Sequence, residues 1–358
     1  MTVGVMAPEF TPSSGLRALA AAMDVYKRVF VAGPSAPLLS RSNPVRRSGF
    51  DLDVVVESVR TEAEDVRVVH LVAPDGGRLP TWTPGSHLDV FLPSGRQRQY
   101  SLCGDPADRR QYRIAVRRIA DGGGGSCEVH EALLPGAALR IRGPRNGFSF
   151  VNTAPTYLFV AGGIGITPIL PMVRVAAAAG ARWKLVYLGR SRATMPFLPE
   201  LVGYGDNVEV YPDDEYGIAD IPEVIARAEP GAAVYVCGPP PVLAAAQRCT
   251  FAVNPTASLH TERFSAAPVL DGEPFELRLA RTATTVTVGA DETALAAVRR
   301  VFPGVAYSCQ QGFCGTCKVA VLAGEVEHRD RILLDAERKD RMLTCVSRAA
   351  GDSLVLDL

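Results

Sequence analysis

Residues 307–321 read YSCQQGFCGTCKVAV, with three cysteines in nine residues, and a fourth, Cys345, follows in MLTCVSRA. Cys309, Cys314 and Cys317 are spaced C-x4-C-x2-C with Cys345 as the distant fourth, the ligand pattern of a plant-type [2Fe–2S] cluster. Thiolates suit both ferric and ferrous iron. Gly312 and Gly315 let such a loop fold tightly and aim amide N–H groups at cluster sulfurs. A disulfide knot belongs to an oxidising compartment. Zinc more often shows paired C-x2-C hairpins or histidines, and only one C-x2-C is present. The other cysteines, Cys103, Cys127, Cys237 and Cys249, are scattered singly, and His70, His87, His130, His260 and His328 have no ligand spacing. No Ser-His-Asp or Cys-His nucleophile emerges from the order of residues.

Working outward, 358 residues are too many for one ordinary core, so two or three domains are expected. The 38 basic side chains balance 38 acidic ones, which gives no reason to expect nucleic acid or a membrane surface as partner. No apolar run reaches bilayer length. The first residues lack a basic region followed by an apolar core. A cytoplasmic, monomeric enzyme is the expectation.

Residues 1–48 form an extension in which Leu16, Leu19, Met23, Tyr26 and Phe30 fall near helical spacing, ahead of a loop rich in Pro, Ser and Arg. A docking helix plus linker is expected there. Over 49–152, short runs such as DLDVVVESVR, VRVVHLVAP, HLDVFLPSG, RQYSLCG, YRIAVRRI and LRIRGP alternate with turns, predicting an antiparallel β-barrel. Over 153–265 strands alternate with helical segments, predicting an α/β domain with a parallel sheet. Residues 266–273 read as a linker, and 274–358 as a small α+β domain around the cysteine loop.

Three further stretches carry chemistry. In RQYSL, Arg98 offers a fork of donors for a phosphate, Tyr100 a flat face for a ring, and Ser101 a polar edge. Downstream, two arginines precede the turn GGGGS, whose amides can surround an anion; a glycine run alone is more often a flexible turn, and its pairing with RQYSL points to a flavin phosphate site. GGIGITP, residues 162–168, lies between a strand and a helix, where Gly162, Gly163 and Gly165 permit close approach of a dinucleotide and Thr167 is expected to cap the helix. VYVCGPP brings Cys237, Gly238 and Pro239 to a second strand end, with Cys237 either buried or beside a nicotinamide. Arg190, Ser191 and Arg192 occupy the position of ribose recognition. They offer no acid, which leans towards NADPH while leaving NADH open.

The order of these motifs resembles phthalate dioxygenase reductases and vanillate demethylase reductases, from about Phe50 to Leu358. The resemblance implies an FMN-binding ferredoxin-reductase-like barrel, a nucleotide-binding α/β domain and a β-grasp-like plant-type ferredoxin. It implies FMN contacts from Arg98, Gln99, Tyr100 and Ser101, then Val116, Arg117 and Arg118, then a phosphate turn of Gly124, Gly125, Ser126 and Cys127. Thr167 and Phe264 complete the implied set, Phe264 lying against the isoalloxazine. FMN is implied over FAD because the phosphate is gripped within the barrel. The family's ribose acid is replaced here by Ser191. The implied activity runs from NADH or NADPH through FMN and the [2Fe–2S] cluster to a Rieske oxygenase component. A haem monooxygenase acceptor and a redox-sensing regulator are the rival readings.

Overall fold

The computed structural model describes residues 13–15, 18, 21–22, 51–121, 124–266 and 268–358. The helix and linker expected before Phe50 lie largely outside the described residues. Two compact units are distinguished, Arg47–Ala266 and the one containing Ala267–Leu358.

The first unit holds two sheets. Strands β1 (Asp51–Ala63), β2 (Val66–Val72), β3 (Ser86–Phe91), β4 (Gln97–Ser101), β5 (Gln111–Arg117) and β6 (Ala138–Asn146) pair antiparallel in the order β4-β3-β6-β1-β2-β5. A bridge between Leu102 and Ile114, with the Cys103 amide donating to Arg113 O at 2.9 Å, joins the two ends and closes the barrel. Closure follows from alternation: Val54, Val56, Leu71, Leu88, Val90, Ile114, Val116 and Ile141 point inward and are buried. Helix α1 (Gly125–Ala132) plugs one end with Val129.

Strands β7 (Thr156–Gly162), β8 (Arg182–Gly189), β9 (Val208–Pro212), β10 (Ala233–Cys237) and β11 (Ser258–Glu262) form an all-parallel sheet in the order β11-β10-β7-β8-β9. Strand β7 is wholly buried because apolar layers cover both faces. Helix α2 (Ile166–Ala178) lies on one face, and α3 (Ile221–Ala226) and α4 (Pro240–Val253) on the other. The chain runs outward from β7 through β8 and β9, then returns to β10 beside β7. That reversal creates a crevice at the carboxyl ends of β7 and β10. SLHTE, not anticipated as a strand, becomes β11 by pairing in register with β10.

Barrel and parallel sheet share one core, in which Val66, Val68, Cys103 and Ala115 meet Phe159, Ile169 and Tyr187. Glu200 clamps this junction. It accepts from Arg113 of β5 at 2.7 and 3.1 Å and pairs with Arg174 of α2. Despite the cost of burial, the hydrogen bonds and charges of Arg113 and Arg174 hold its carboxyl below the ordinary value.

In the second unit, β12 (Phe275–Leu279), β13 (Thr284–Val288), helix α5 (Ala294–Val301), β14 (Lys318–Ala323), β15 (Val326–Glu327), β16 (Arg341–Leu343), β17 (Arg348–Ala349) and β18 (Ser353–Leu356) follow in order. The main sheet runs β13-β12-β18-β14-β16, with β12 and β18 parallel. Thr293 caps α5 by accepting from the Ala296 amide, and Leu295 and Val298 bury against the sheet. The run KVAVLAGEVE divides at Gly324, where φ is 93°, into β14 and β15. The short strands β16 and β17 flank Cys345.

Candidate functional site

The four terminal cysteines come together. Cys309, Cys314 and Cys317 sit on the loop between α5 and β14, and Cys345 on the turn between β16 and β17. Cys309, Cys317 and Cys345 are buried, while Cys314 is half-buried. The Gln311 amide donates to Cys309 Sγ at 3.3 Å and the Cys309 amide to Cys314 Sγ at 3.5 Å, so backbone dipoles already face sulfur. A Cβ on Gly312, where φ is 80°, would lie 2.9 Å from Val346 beside Cys345. Glycine is therefore needed for the loop to pass the fourth ligand. Hydrogen bonds from Cys314 and Cys345, then from the Gln311 and Phe313 amides, lower the Cys309 thiol, while the same shared contacts raise those of Cys314 and Cys345. Four free thiols linked by Cys309–Cys314, Cys309–Cys345 and Cys317–Cys345 contacts, with backbone amides facing sulfur, fit a [2Fe–2S] cluster.

In the barrel, Arg98 of β4 reaches the start of α1. A methyl group at Gly125 would stand 2.3 Å from Arg98 Nε, so glycine leaves the space that the guanidinium uses. Gly124 turns at φ 73°, beside Arg96, which the sequence reading passed over. The α1 amides and the Arg98 fork make a cradle that fits a phosphate. Ser126 and Cys127 turn their side chains towards Ile119: Ser126 Oγ accepts from the Ile119 amide at 3.0 Å and Cys127 Sγ lies 3.5 Å from its carbonyl. Gln99 donates to Asp89 at 2.9 Å. Tyr100 packs on the barrel core, and burial raises its phenol above the ordinary value. Val116 is a core residue whose carbonyl lies 2.9 Å from His130 Nε2, and Arg118 faces Glu131 at the surface. Phe264, 51% exposed, is an uncovered aromatic.

Arg117 goes elsewhere. A Cβ on Gly163 would lie 3.4 Å from Arg117 Nη1, so this barrel side chain stands over the first turn of the nucleotide crevice. Partial burial and the nearby charge of Arg190 both lower its pKa. Two guanidiniums thus share that turn, an arrangement that suits an anion. Beneath it the glycines of the two strand-end loops touch. A Cβ on Gly165 would be 2.1 Å from Cys237 O, and one on Gly162 would be 2.6 Å from Pro239 Cδ and 3.1 Å from Gly238 Cα. The loops form the walls of the switch-point crevice. Thr167 does not cap α2. The N-cap position is Gly165, and the Thr167 hydroxyl, already inside the helix, donates to Ile164 O at 2.9 Å.

Two acids escaped the sequence reading. Glu262 ends β11 opposite Cys237 and within hydrogen-bonding reach of Ser101. Although the residue is partly exposed, its Oε2 is buried without a partner, and desolvation pushes the carboxyl up to about 8. Cys237 is 1% exposed, and burial followed by the Glu262 charge raises its thiol well above the usual value. The second acid corrects the expectation that no carboxylate attends the ribose position. Glu215, from the helical turn Asp213–Tyr216 after β9, accepts from Arg192 Nε at 2.7 Å and Nη2 at 3.1 Å. Sequence proximity to GRSR could not reveal it, because neighbouring β8 and β9 bring the two turns together.

Residues 277–350 match the family of 2Fe-2S iron-sulfur cluster binding domains. The chain is 39% identical over 325 residues to the reductase subunit of a tert-butanol monooxygenase / tert-amyl alcohol desaturase from Aquincola tertiaricarbonis, covering 86% of this chain and 96% of that one. A solved phthalate dioxygenase reductase, described as a modular structure for electron transfer from pyridine nucleotides to [2Fe-2S], superposes with a TM-score of 0.67 at 35% identity, covering 88% of this chain and all of the other. An intact type IV self-sufficient cytochrome P450 monooxygenase matches with a TM-score of 0.69 at 41% identity; 90% of this chain aligns, but this spans only 44% of that protein. Among the described residues, no helix is long and apolar enough to cross a membrane. The chain therefore belongs to the phthalate dioxygenase reductase family of flavin and iron–sulfur oxidoreductases.

Proposed function

We propose that the chain is the reductase component of an oxygenase system, taking reducing equivalents from NADH or NADPH through FMN and a [2Fe–2S] cluster to a separate terminal oxygenase with a Rieske centre. Substrates of that oxygenase would be aromatic rings or aryl methyl ethers. The carrying observation is that one chain holds a four-thiol nest together with a glycine-walled crevice at a topological switch point. Bound FMN would supply acceptance of an electron pair and its release one electron at a time, with the cluster carrying single electrons onward.

The protein's own residues need only position and tune. Arg98 and the Gly125 turn would grip the flavin phosphate, Tyr100 and Phe264 would lie along the ring, and Ser101 with Glu262 would face its polar edge. Arg117, Arg190 and the crevice glycines would hold the dinucleotide. Cys309, Cys314, Cys317 and Cys345 would hold the cluster. The near-complete length match to a relative that is itself one subunit of a larger system supports a separate partner. The cytochrome P450 likeness favours a second acceptor, a haem monooxygenase.

Stopped-flow reduction tests the reading. NAD(P)H should bleach the flavin first, and cluster reduction should follow. Flavin bleaching with a cluster that stays oxidised would sink it. Turnover with purified Rieske and haem oxygenases separates the two acceptors.

A further inference from the structure

We propose that the ion pair between Arg192 and Glu215 sets coenzyme choice, and that it sets it in favour of NADH. The inference rests on the nicotinamide reading above and specifies its adenosine end.

In a sheet of this type the ribose next to adenine lies beyond the strand adjacent to the glycine turn, here β8. The turn after β8 supplies Arg190 and Arg192, which by themselves would accommodate a 2′-phosphate. Arg192, however, has its Nε and Nη2 donors filled by the two oxygens of Glu215, and the Tyr216 phenol adds a further hydrogen bond. The two turns are registered by main-chain and side-chain bonds. The Asp214 amide donates to Arg190 O at 3.1 Å, and the Ser191 and Thr194 side chains bond reciprocally across the β8 turn. Asp213 and Asp214 precede Glu215 on the same short turn, and Asp214 adds its charge to that of Asp213 there.

A 2′-phosphate that takes the Nε–Nη2 edge of Arg192 must displace Glu215, and on the remaining donors it lies beside the Glu215 carboxylate, a like charge. A ribose 2′-hydroxyl meets neither obstacle, and it can donate to a Glu215 carboxylate oxygen while the Arg192 pairing persists. The same pair that blocks the phosphate therefore receives the hydroxyl.

The test uses the full-length holoenzyme with ferricyanide as acceptor, comparing kcat/KM for NADH and NADPH. Binding of 5′-AMP and 2′,5′-ADP to the oxidised enzyme, measured by calorimetry, is the readout independent of turnover. The wild type should prefer NADH. Glu215→Gln should improve NADPH relative to NADH by roughly tenfold, carried by KM, and strengthen 2′,5′-ADP binding to a similar degree. Adding Arg192→Ala should abolish that gain. A wild type that prefers NADPH, or a Glu215→Gln ratio that does not move in either measurement, overturns the proposal. Flavin that neither nucleotide bleaches overturns the nicotinamide reading itself, an outcome distinct from both.

Discussion

Replacing Glu262 by Gln should change how the Arg47–Ala266 unit responds to pH. The carboxyl rises from an ordinary 4.5 to about 8 because its surroundings desolvate it, with the Ser101 hydrogen bond only partly opposing. Between those values the folded chain keeps a proton that the unfolded chain has lost. Stability therefore falls as pH climbs from about 4.5 towards 8, and levels off above. The full displacement corresponds to about 5 kcal/mol. Partial exposure lets an ionised Glu262 turn towards water, so a penalty of roughly 2–3 kcal/mol is expected at high pH. Gln cannot ionise, so the variant should match wild type near pH 4 and exceed it by that amount near pH 9. Urea titrations of flavin-free protein across this range, followed by tryptophan fluorescence, provide the measurement, since Trp82 and Trp183 both lie in this unit. Parallel pH profiles for the two proteins would refute the reasoning.

Cys314→Ser should remove the cluster's visible absorption and cytochrome c reduction while leaving flavin bleaching by NAD(P)H. Loss of both would show that the two redox modules are not separable. Gly125→Val should push Arg98 out of its place and weaken FMN binding on the order of a hundredfold, read by fluorescence quenching, whereas unchanged affinity would place the phosphate elsewhere. Glu200→Gln strands the Arg113 and Arg174 guanidiniums and should cost about 2 kcal/mol at neutral pH, allowing for Glu200's partial exposure. Because that carboxyl is held below its ordinary value, its contribution is complete above the ordinary value and disappears as pH falls through the depressed one. The variant should accordingly lose part of the wild type's acid sensitivity in thermal melts.

Features carried by local pattern were legible from residue order alone. Alternation in DLDVVVESVR and VRVVHLVAP, the switch to strand–helix spacing after Asn152, and C-x4-C-x2-C each depend on neighbours a few positions apart. Contacts set by topology were not. Glu215 reaches Arg192 only because β8 and β9 lie side by side, and Glu262 meets Ser101 only because the barrel and parallel sheet share a core. Arg117, grouped with Val116 and Arg118 by motif, departs from both because successive strand residues face opposite ways. Thr167 illustrates a smaller displacement: α2 begins at Ile166, so a hydroxyl placed to cap the helix instead sits inside it.

The contact of Gly162 and Gly165 with Gly238 and the Cys237 carbonyl also bears on how this crevice could diversify. At Gly162 and Gly165 the walls meet through backbone and the Pro239 ring, and no side chain can be added at either position without parting the two loops. Substitution cannot retune such a surface; it can only break it. Discrimination between ligands that share a pyrophosphate and a nicotinamide must then be exported to the rim, onto turns free to exchange residues. A lineage changing its reductant would leave the glycines untouched and rewrite the short turns after β8 and β9.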